Sequence, residues 1–348
     1  MISHLSVENF AALEQAELDF SPGLNVILGE NSTGKSLLMK LMYSGAWVSH
    51  SLGKGDRKTK DELQRAIADK LKAVCIPESL GRLVTRKAGR NRCTVRVSFS
   101  EPQNASFGFS FATNSDREAK LDGATPEGYL SSSPIFIPTK EVLSVFPNFA
   151  ATLRSKHLFF DDTYLDLLDA LDQPVNKGAP KKDERELRDS LEQAMAGRVV
   201  FDGGRFYYLP EAEGKGKIEM PLVAEGLRKI SILTYLVMNG GLRNKSLLFW
   251  DEPEVNLNPK LMRRLAVVLV DMAERGVQVI LATHSLFLLR ELVIARASSK
   301  TKEPVRFFAL SKQGDTQRVT QGDSVEEVDP LASLDAELEQ SDRYLELP

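Results

Sequence analysis

The segment Gly29-Glu30-Asn31-Ser32-Thr33-Gly34-Lys35-Ser36 follows the apolar stretch 24–28 and precedes an apolar helical pattern from about Gly34 to Trp47. A buried strand that runs through a glycine-containing loop into a helix admits few folds, nearly all of them α/β. The G-x-x-x-x-G-K-S spacing lets the backbone curl so that amide N–H groups and the helix N-terminus face phosphate oxygens. Lys35 is placed to reach the β- and γ-phosphates of a nucleotide, and the Ser36 hydroxyl to ligate Mg²⁺. Gly29, Asn31, Ser32, Thr33, Gly34, Lys35, Ser36 and Leu37 are therefore the expected phosphate-binding residues, with ATP and Mg²⁺ as cofactors.

A second apolar run, Leu247-Leu248-Phe249-Trp250, delivers Asp251 and Glu252 at its carboxyl end, where open α/β sheets bind ligands. Asp251 is expected to hold Mg²⁺, and Glu252, aimed differently, to polarise an attacking water as general base. A third run, Val279-Ile280-Leu281-Ala282-Thr283, ends in His284, whose imidazole can donate to a γ-phosphate or to water. Lys35, Glu252 and His284 are the expected catalytic residues.

Around these motifs, strands and helices alternate. The helical expectations are about 34–47, 59–74, 225–239, 259–275 and 285–292, and the strands of the later half are 246–250 and 277–282. Such alternation implies a parallel sheet. Thr94–Ser100 and Phe107, Phe109 and Phe111 alternate at period two, which argues for antiparallel strands with one buried face in a β-rich N-terminal part. The stretch of about 145–198 reads as helical and polar, with a break at Pro174–Lys182, and Asp202-Gly203-Gly204 turns a hairpin into Phe206-Tyr207-Tyr208. Arg306-Phe307-Phe308-Ala309-Leu310 and one further strand precede an acidic end.

The 348 residues suffice for a large core, and no stretch approaches the roughly 18 apolar residues of a membrane span. The N-terminus lacks the basic-then-apolar layout of a signal peptide. A cytoplasmic location without membrane contact is the expectation, and the only cysteines, Cys75 and Cys93, are expected to be reduced thiols. The net charge of −3 gives no general attraction to nucleic acid. Arg82, Arg86, Lys87, Arg90, Arg92 and Arg96 nevertheless fall in one stretch, preceded by Lys54, Arg57, Lys58 and Lys60. A phosphate-neutralising patch and a solvated surface hairpin are equal readings of it.

The order of these motifs resembles an ABC-type ATPase. Val7-Glu8-Asn9-Phe10, with Gly23-Leu24-Asn25 leading to Gly29-Glu30-Asn31, is similar to the SMC, RecF and OLD-type soluble branch of the AAA-family ATP-binding proteins, and Asp251-Glu252-Pro253-Glu254 with Asn256-Leu257-Asn258-Pro259 resembles the OLD-like pattern. The resemblance implies a P-loop NTPase with an ABC-ATPase-like head. It divides the single domain 1–348 into an N-terminal lobe 1–140, a helical insertion 141–200, a C-terminal lobe 201–320 and an acidic tail 321–348. It implies a homodimer in the ATP-bound state, with Asn256 in a loop that crosses the dimer interface.

The family's signature helix corresponds to Ala224-Glu225-Gly226-Leu227-Arg228-Lys229, in which Ala224 stands where the family supplies a serine hydroxyl. Ala224, Glu225 and Gly226 are implied to bind nucleotide, and Arg228 or Lys229 to add charge. No clear glutamine marks the Q-loop: Thr139, Lys140 or Glu141 could substitute, and a structural turn is an equal reading. Asn9 and Phe10 stand where the family places base-flanking residues, with a core role for Phe10 left open. What the resemblance implies functionally is an Mg-dependent ATPase that switches by ATP-driven dimerisation and acts with a separate effector protein in phage defence or DNA maintenance. The alternative is a slow or non-hydrolysing ATP-dependent scaffold.

Overall fold

The computed structural model describes residues 1–55, 59–146, 148–156, 160–175, 178, 181–212, 214, 216–299, 301, 304–314, 316–328, 339–340 and 342–345. Most of the expected acidic tail, together with Arg57 and Lys58 of the basic stretch, lies outside them.

The chain begins with strands β1 (Ile2–Phe10), β2 (Leu13–Asp19) and β3 (Leu24–Gly29), then helices α1 (Lys35–Lys54) and α2 (Lys60–Cys75). Next come β4 (Arg92–Phe99), β5 (Phe107–Ala112), β6 (Lys120–Asp122) and β7 (Ile135–Ile137). Helices α3 (Asn148–Lys156), α4 (Asp162–Leu171) and α5 (Lys182–Met195) lead to β8 (Gly197–Asp202), β9 (Arg205–Pro210) and β10 (Ile218–Glu219). The last elements are α6 (Glu225–Met238), β11 (Leu247–Asp251), α7 (Pro259–Glu274), β12 (Gln278–Thr283), α8 (Leu286–Ala297), β13 (Val305–Gln313) and β14 (Thr316–Gly322).

Two compact units share these elements. The first comprises Met1–Ser133, Ile280–Leu286 and Pro304–Pro348, and the second Pro134–Val279 and Phe287–Glu303. In the first, the strand order is β6-β5-β4-β1-β2-β14-β13-β3-β12. The β6 to β2 part is antiparallel, whereas β13 runs parallel to β3 with Leu310 opposite Gly29. The sheet thus changes from antiparallel to parallel character as it approaches the phosphate-loop strand. Strand β3 reads as an unbroken buried run because both its faces are covered.

Two expectations need correction. The helix expected to end near Trp47 continues to Lys54. Its extra turns are polar in sequence, yet Ser49 and His50 are buried, and the backbone of Leu130 satisfies both: its N–H donates to Ser49 Oγ, and its carbonyl lies 3.0 Å from His50 Nδ1. Strand β5 is buried on both faces from Phe107 to Ser110, not on one. The small residues Gly108 and Ser110 supply its second face, where Arg92 reaches the Ser110 hydroxyl. Helix α2 starts as its sequence dictates, with Thr59 and Glu62 forming a reciprocal capping box.

In the second unit, β7 and β11 pair in parallel, Trp250 opposite Ile137. The strands β10-β9-β8 form a separate small sheet. Phe206, on β9, meets Phe146, Phe201 and Tyr235 with ring centroids 4.7–4.8 Å apart, which fastens the hairpin to α6. Aromatic pairs of this kind add about 0.5–1.5 kcal/mol each beyond their buried area. Among the described residues no helix is long and apolar enough to cross a membrane. Cys75 and Cys93 are both free thiols, and burial pushes the Cys93 thiol pKa well above its ordinary value.

Candidate functional site

The phosphate loop leaves the carboxyl end of β3. Gly29 has φ +154, and a Cβ there would stand 2.6 Å from Leu310 O, so the backbone of β13 leaves room only for glycine. Ser32 and Gly34 also have positive φ, +66 and +88. The Thr33 hydroxyl donates to Glu30 O and closes the loop on itself. Helix α1 begins at Lys35 with no side-chain cap, so its first N–H groups are left to the loop's concave side. Lys35 is 5% exposed, and its ammonium donates to Gly29 O and Glu30 O at 2.8 Å each. Asn31 and Ser32 are exposed, whereas Ser36 and Leu37 are half-buried at the start of the helix.

His284 lies in the same unit, exposed just beyond β12, the neighbour of β3 in the sheet. Thr283 turns the chain there by accepting from Ser285 N–H. Asn9 and Phe10 also belong to this unit and have different surroundings. Asn9 has φ +52 and donates through Nδ2 to Arg92 O. Phe10 is fully buried and bridges Val84, so its ring is core and no base can stack on it. One loop residue escaped the motif reading: Gln317 of β14 donates through Nε2 to Ser32 O at 3.2 Å. Its strand is remote in sequence from the loop, and only the topology brings the two together.

In the second unit, β11 is buried throughout and ends at Asp251, which is 8% exposed. Glu252 follows with φ +47, a left-handed conformation that costs a non-glycine residue about 1–3 kcal/mol and turns its side chain away from the strand's alternation. Asn256, at φ +61, makes the second such turn before Asn258 caps α7 by accepting from Leu261 N–H.

Helix α6 packs its start against this turn. Asn256 Nδ2 donates to Glu225 Oε2 at 2.9 Å. Gly226 has no room for a Cβ, which would meet Leu257 Cδ2 at 2.6 Å and Leu261 Cδ1 at 2.9 Å. Ala224 provides no side-chain cap, so the first N–H groups of α6 have none from that position. Arg228 is turned inward: its Nη1 donates to Met220 O and Val223 O. Its Nε lies 2.8 Å from Glu141 Oε1, an ion pair by distance although the N–H does not point along the contact. Lys229 is 1% exposed and donates to Val255 O. Burial lowers its pKa, and the charges of Glu225, Glu254, Glu252 and Glu141 act against that. The sequence suggested both cations as extra phosphate contacts, but the carbonyls that hold them lie within their own unit.

The donor chemistry fits a hard divalent ion. Asp251 offers a nearly buried carboxylate and Ser36 a hydroxyl, both oxygen ligands of the type Mg²⁺ takes. Of the basic stretch, Arg82 pairs with Glu78 and Lys87 with Glu14, and Arg82, Arg86 and Lys87 line a surface pocket of about 500 Å³. Arg90 and Arg92 are exposed beside them in sequence.

Known proteins resemble the chain at two levels. Over 42 residues it is 38% identical to the DNA replication and repair protein RecF of Lactobacillus acidophilus, 12% of this chain and 11% of that protein. Over 39 residues it is 44% identical to the DNA repair protein RecN of Xylella fastidiosa, 11% of this chain and 7% of that protein. The matches thus span only about a tenth of these relatives' own length. In fold, the chain resembles the crystal structure of the SmcHead bound to the C-winged helix domain of ScpA: TM-score 0.54, 13% identity, 93% of this chain and 98% of that one. It also resembles the Smc head domain with an extended coiled coil bound to the C-terminal domain of ScpA from Pyrococcus furiosus: TM-score 0.54, 11% identity, 98% and 99% coverage. An AAA ATPase domain model matches residues 1–72. The model of the family described as AAA domain, putative AbiEii toxin, Type IV TA system matches residues 111–290, more than half of the sequence, so the chain belongs to that family and is a P-loop ATPase of the SMC/RecF-like branch.

Proposed function

We propose that the protein binds Mg²⁺·ATP and hydrolyses it, with Lys35 and the N–H groups of residues 29–37 holding the phosphates and Asp251 and Ser36 supplying metal ligands. The observation that carries the proposal is the phosphate loop itself, three positive-φ residues opening an uncapped helix with a nearly buried lysine folded across its mouth. Glu252 takes a proton from water as the water oxygen attacks the γ-phosphorus, and the bond to the ADP oxygen breaks. His284 donates to the γ-phosphate oxygens. Bound Mg²⁺ supplies charge neutralisation at the β- and γ-oxygens.

In this reading a second copy of the chain completes the site. The uncapped start of α6 at Ala224–Gly226 is the element that would face the other subunit's γ-phosphate, which suits the anion preference of a helix N-terminus. ATP then holds the homodimer together, and hydrolysis releases it. A separate effector reads the change. The family description supports a defence role, and the names of the RecF and RecN relatives support DNA maintenance, with Arg82, Arg86, Lys87, Arg90 and Arg92 as the phosphate-facing surface.

Steady-state ATP turnover across a series of protein concentrations, with and without duplex DNA and with Lys35→Ala as the blank, tests this. Turnover that rises steeply with concentration is expected, and its absence despite ATP binding would overturn it. The second reading, an ATP-dependent scaffold with little turnover, is favoured by one feature, the missing hydroxyl at Ala224. Glu252→Gln separates the two, since a scaffold keeps its biological activity and a hydrolytic switch loses it.

A further inference from the structure

Helix α4 carries a side chain that the motifs do not announce. Asp161 caps the helix by accepting from Thr163 N–H and the Thr163 hydroxyl, which fixes the first turn and with it Tyr164. The Tyr164 ring is held edge-on by Phe160, at 5.1 Å and 79°, and Phe160 in turn by Phe149. Its phenolic oxygen accepts from Lys140 N–H and lies within range of the Asp251 charge. Burial, Asp161 and Asp251 push the phenol up to about 12, so it keeps its proton and has one O–H to donate.

Lys140 stands in the segment 139–141 that follows β7, where the ABC-type pattern expects a metal-completing glutamine. No glutamine occurs from Ser131 to Phe146. Glu141 is already engaged, accepting from the Ser144 hydroxyl and lying against Arg228. A neutral donor beside the metal carboxylate, fastened to the backbone of that same segment, has the properties an outer-shell partner of a metal ligand needs.

We propose that Tyr164 is a positioning residue for the Mg²⁺ site, acting through Asp251 and taking over the part that the missing glutamine plays elsewhere. The inference rests on the proposed Mg²⁺·ATP reading and goes beyond it by assigning the helical stretch that follows β7 a direct hold on the metal carboxylate.

The test is Mn²⁺ binding, followed by electron paramagnetic resonance, to Glu252→Gln protein mixed with ATP, with and without Tyr164→Phe. The substitution removes one hydroxyl and keeps the ring against Phe160. Mn²⁺ affinity about tenfold weaker is expected, the lower end of what loss of an outer-shell partner costs, with thermal unfolding of the nucleotide-free protein little changed. Equal Mn²⁺ affinity in the two proteins would overturn the inference while leaving the ATPase reading intact. A Glu252→Gln parent that binds no Mn²⁺ with ATP would overturn both. Wild-type turnover as a function of Mg²⁺ gives the second readout: a Tyr164→Phe protein slower at every Mg²⁺ concentration but with an unshifted midpoint would mark a structural role and sink the proposal.

Discussion

Lys229 Nζ donates to Val255 O at 2.8 Å from a side chain that is 1% exposed. One cation on α6 thereby holds the carbonyl of the turn in which Glu252 and Asn256 adopt left-handed backbone. A lysine is rarely buried unless it is paired, and here Glu225, Glu254, Glu252 and Glu141 provide the compensating charge. The start of α6 and the turn after the carboxylate pair are therefore one mechanical piece, and a shift of either is felt by the other.

Replacing Lys229 tests this directly. Lys229→Met keeps most of the side-chain volume and removes the charged donor, leaving Val255 O without it. A loss of about 1.5–3 kcal/mol is expected, the range for hydrogen bonds to charged groups, together with a fall in ATP turnover larger than the fall in ATP affinity. Denaturant unfolding and a comparison of kcat with KM check it; unchanged kcat would mean that the turn holds its shape without the lysine.

Gly226 separates packing from phosphate recognition. In Gly226→Ala the new Cβ meets the ends of Leu257 and Leu261, so overpacking of about 1–3 kcal/mol competes with the roughly 1 kcal/mol that alanine returns inside a helix. Net destabilisation of up to about 2 kcal/mol in denaturant unfolding is expected without nucleotide, because the clash lies within one subunit. Unaltered stability with impaired ATP-dependent dimerisation would instead assign the glycine to the phosphate.

How much of this was legible beforehand follows from the range of each signal. The phosphate loop, β3, β11 and the carboxylates are local patterns, and an apolar run ending in Asp251-Glu252 reads the same in one dimension as in three. The extra turns of α1 were hidden because Ser49 and His50 look like surface residues until Leu130 arrives to satisfy them. Arg228 and Lys229 looked like free cations because the carbonyls that hold them belong to a 3₁₀ turn and a loop that leave no periodic trace. Gln317 and Tyr164 escaped for the same reason: one depends on which strand lies near the loop, the other on which helix follows β7.

Gln317 provides a third test. Its amide holds Ser32 O, the carbonyl of a left-handed loop residue. Gln317→Ala removes one neutral hydrogen bond, about 0.5–1.5 kcal/mol, and should weaken ATP binding roughly 2- to 10-fold with kcat nearly unchanged, since the bond shapes the loop and does not touch the reacting atoms. Calorimetric titration with ATP in the Glu252→Gln background measures it, and equal affinity would make Gln317 an ordinary strand residue.

The last prediction concerns pH. On β1, His4 is gripped by two carboxylates, with Nδ1 2.7 Å from Asp19 Oδ1 and Nε2 2.8 Å from Glu17 Oε2. Ser6 also donates to Glu17, and Gln321 binds Asp19 through both its backbone and its side chain, so the acids are fixed in place. Partial burial lowers the imidazole pKa, but the hydrogen bonds and charges of Asp19 and Glu17 outweigh it, and the net shift is upward. A folded-state pKa above the unfolded value means extra stability that is fully present below about pH 6.5 and is lost as pH rises through the folded-state value. The acids are more than half exposed, so the contribution stays below about 1 kcal/mol. Thermal unfolding of wild type and His4→Ala should therefore differ most near pH 5.5 and converge by about pH 8.5, with the difference shrinking in 1 M salt. A gap that widens with pH would show that His4 acts as a neutral hydrogen-bonding group, and that its two carboxylates contribute nothing through charge.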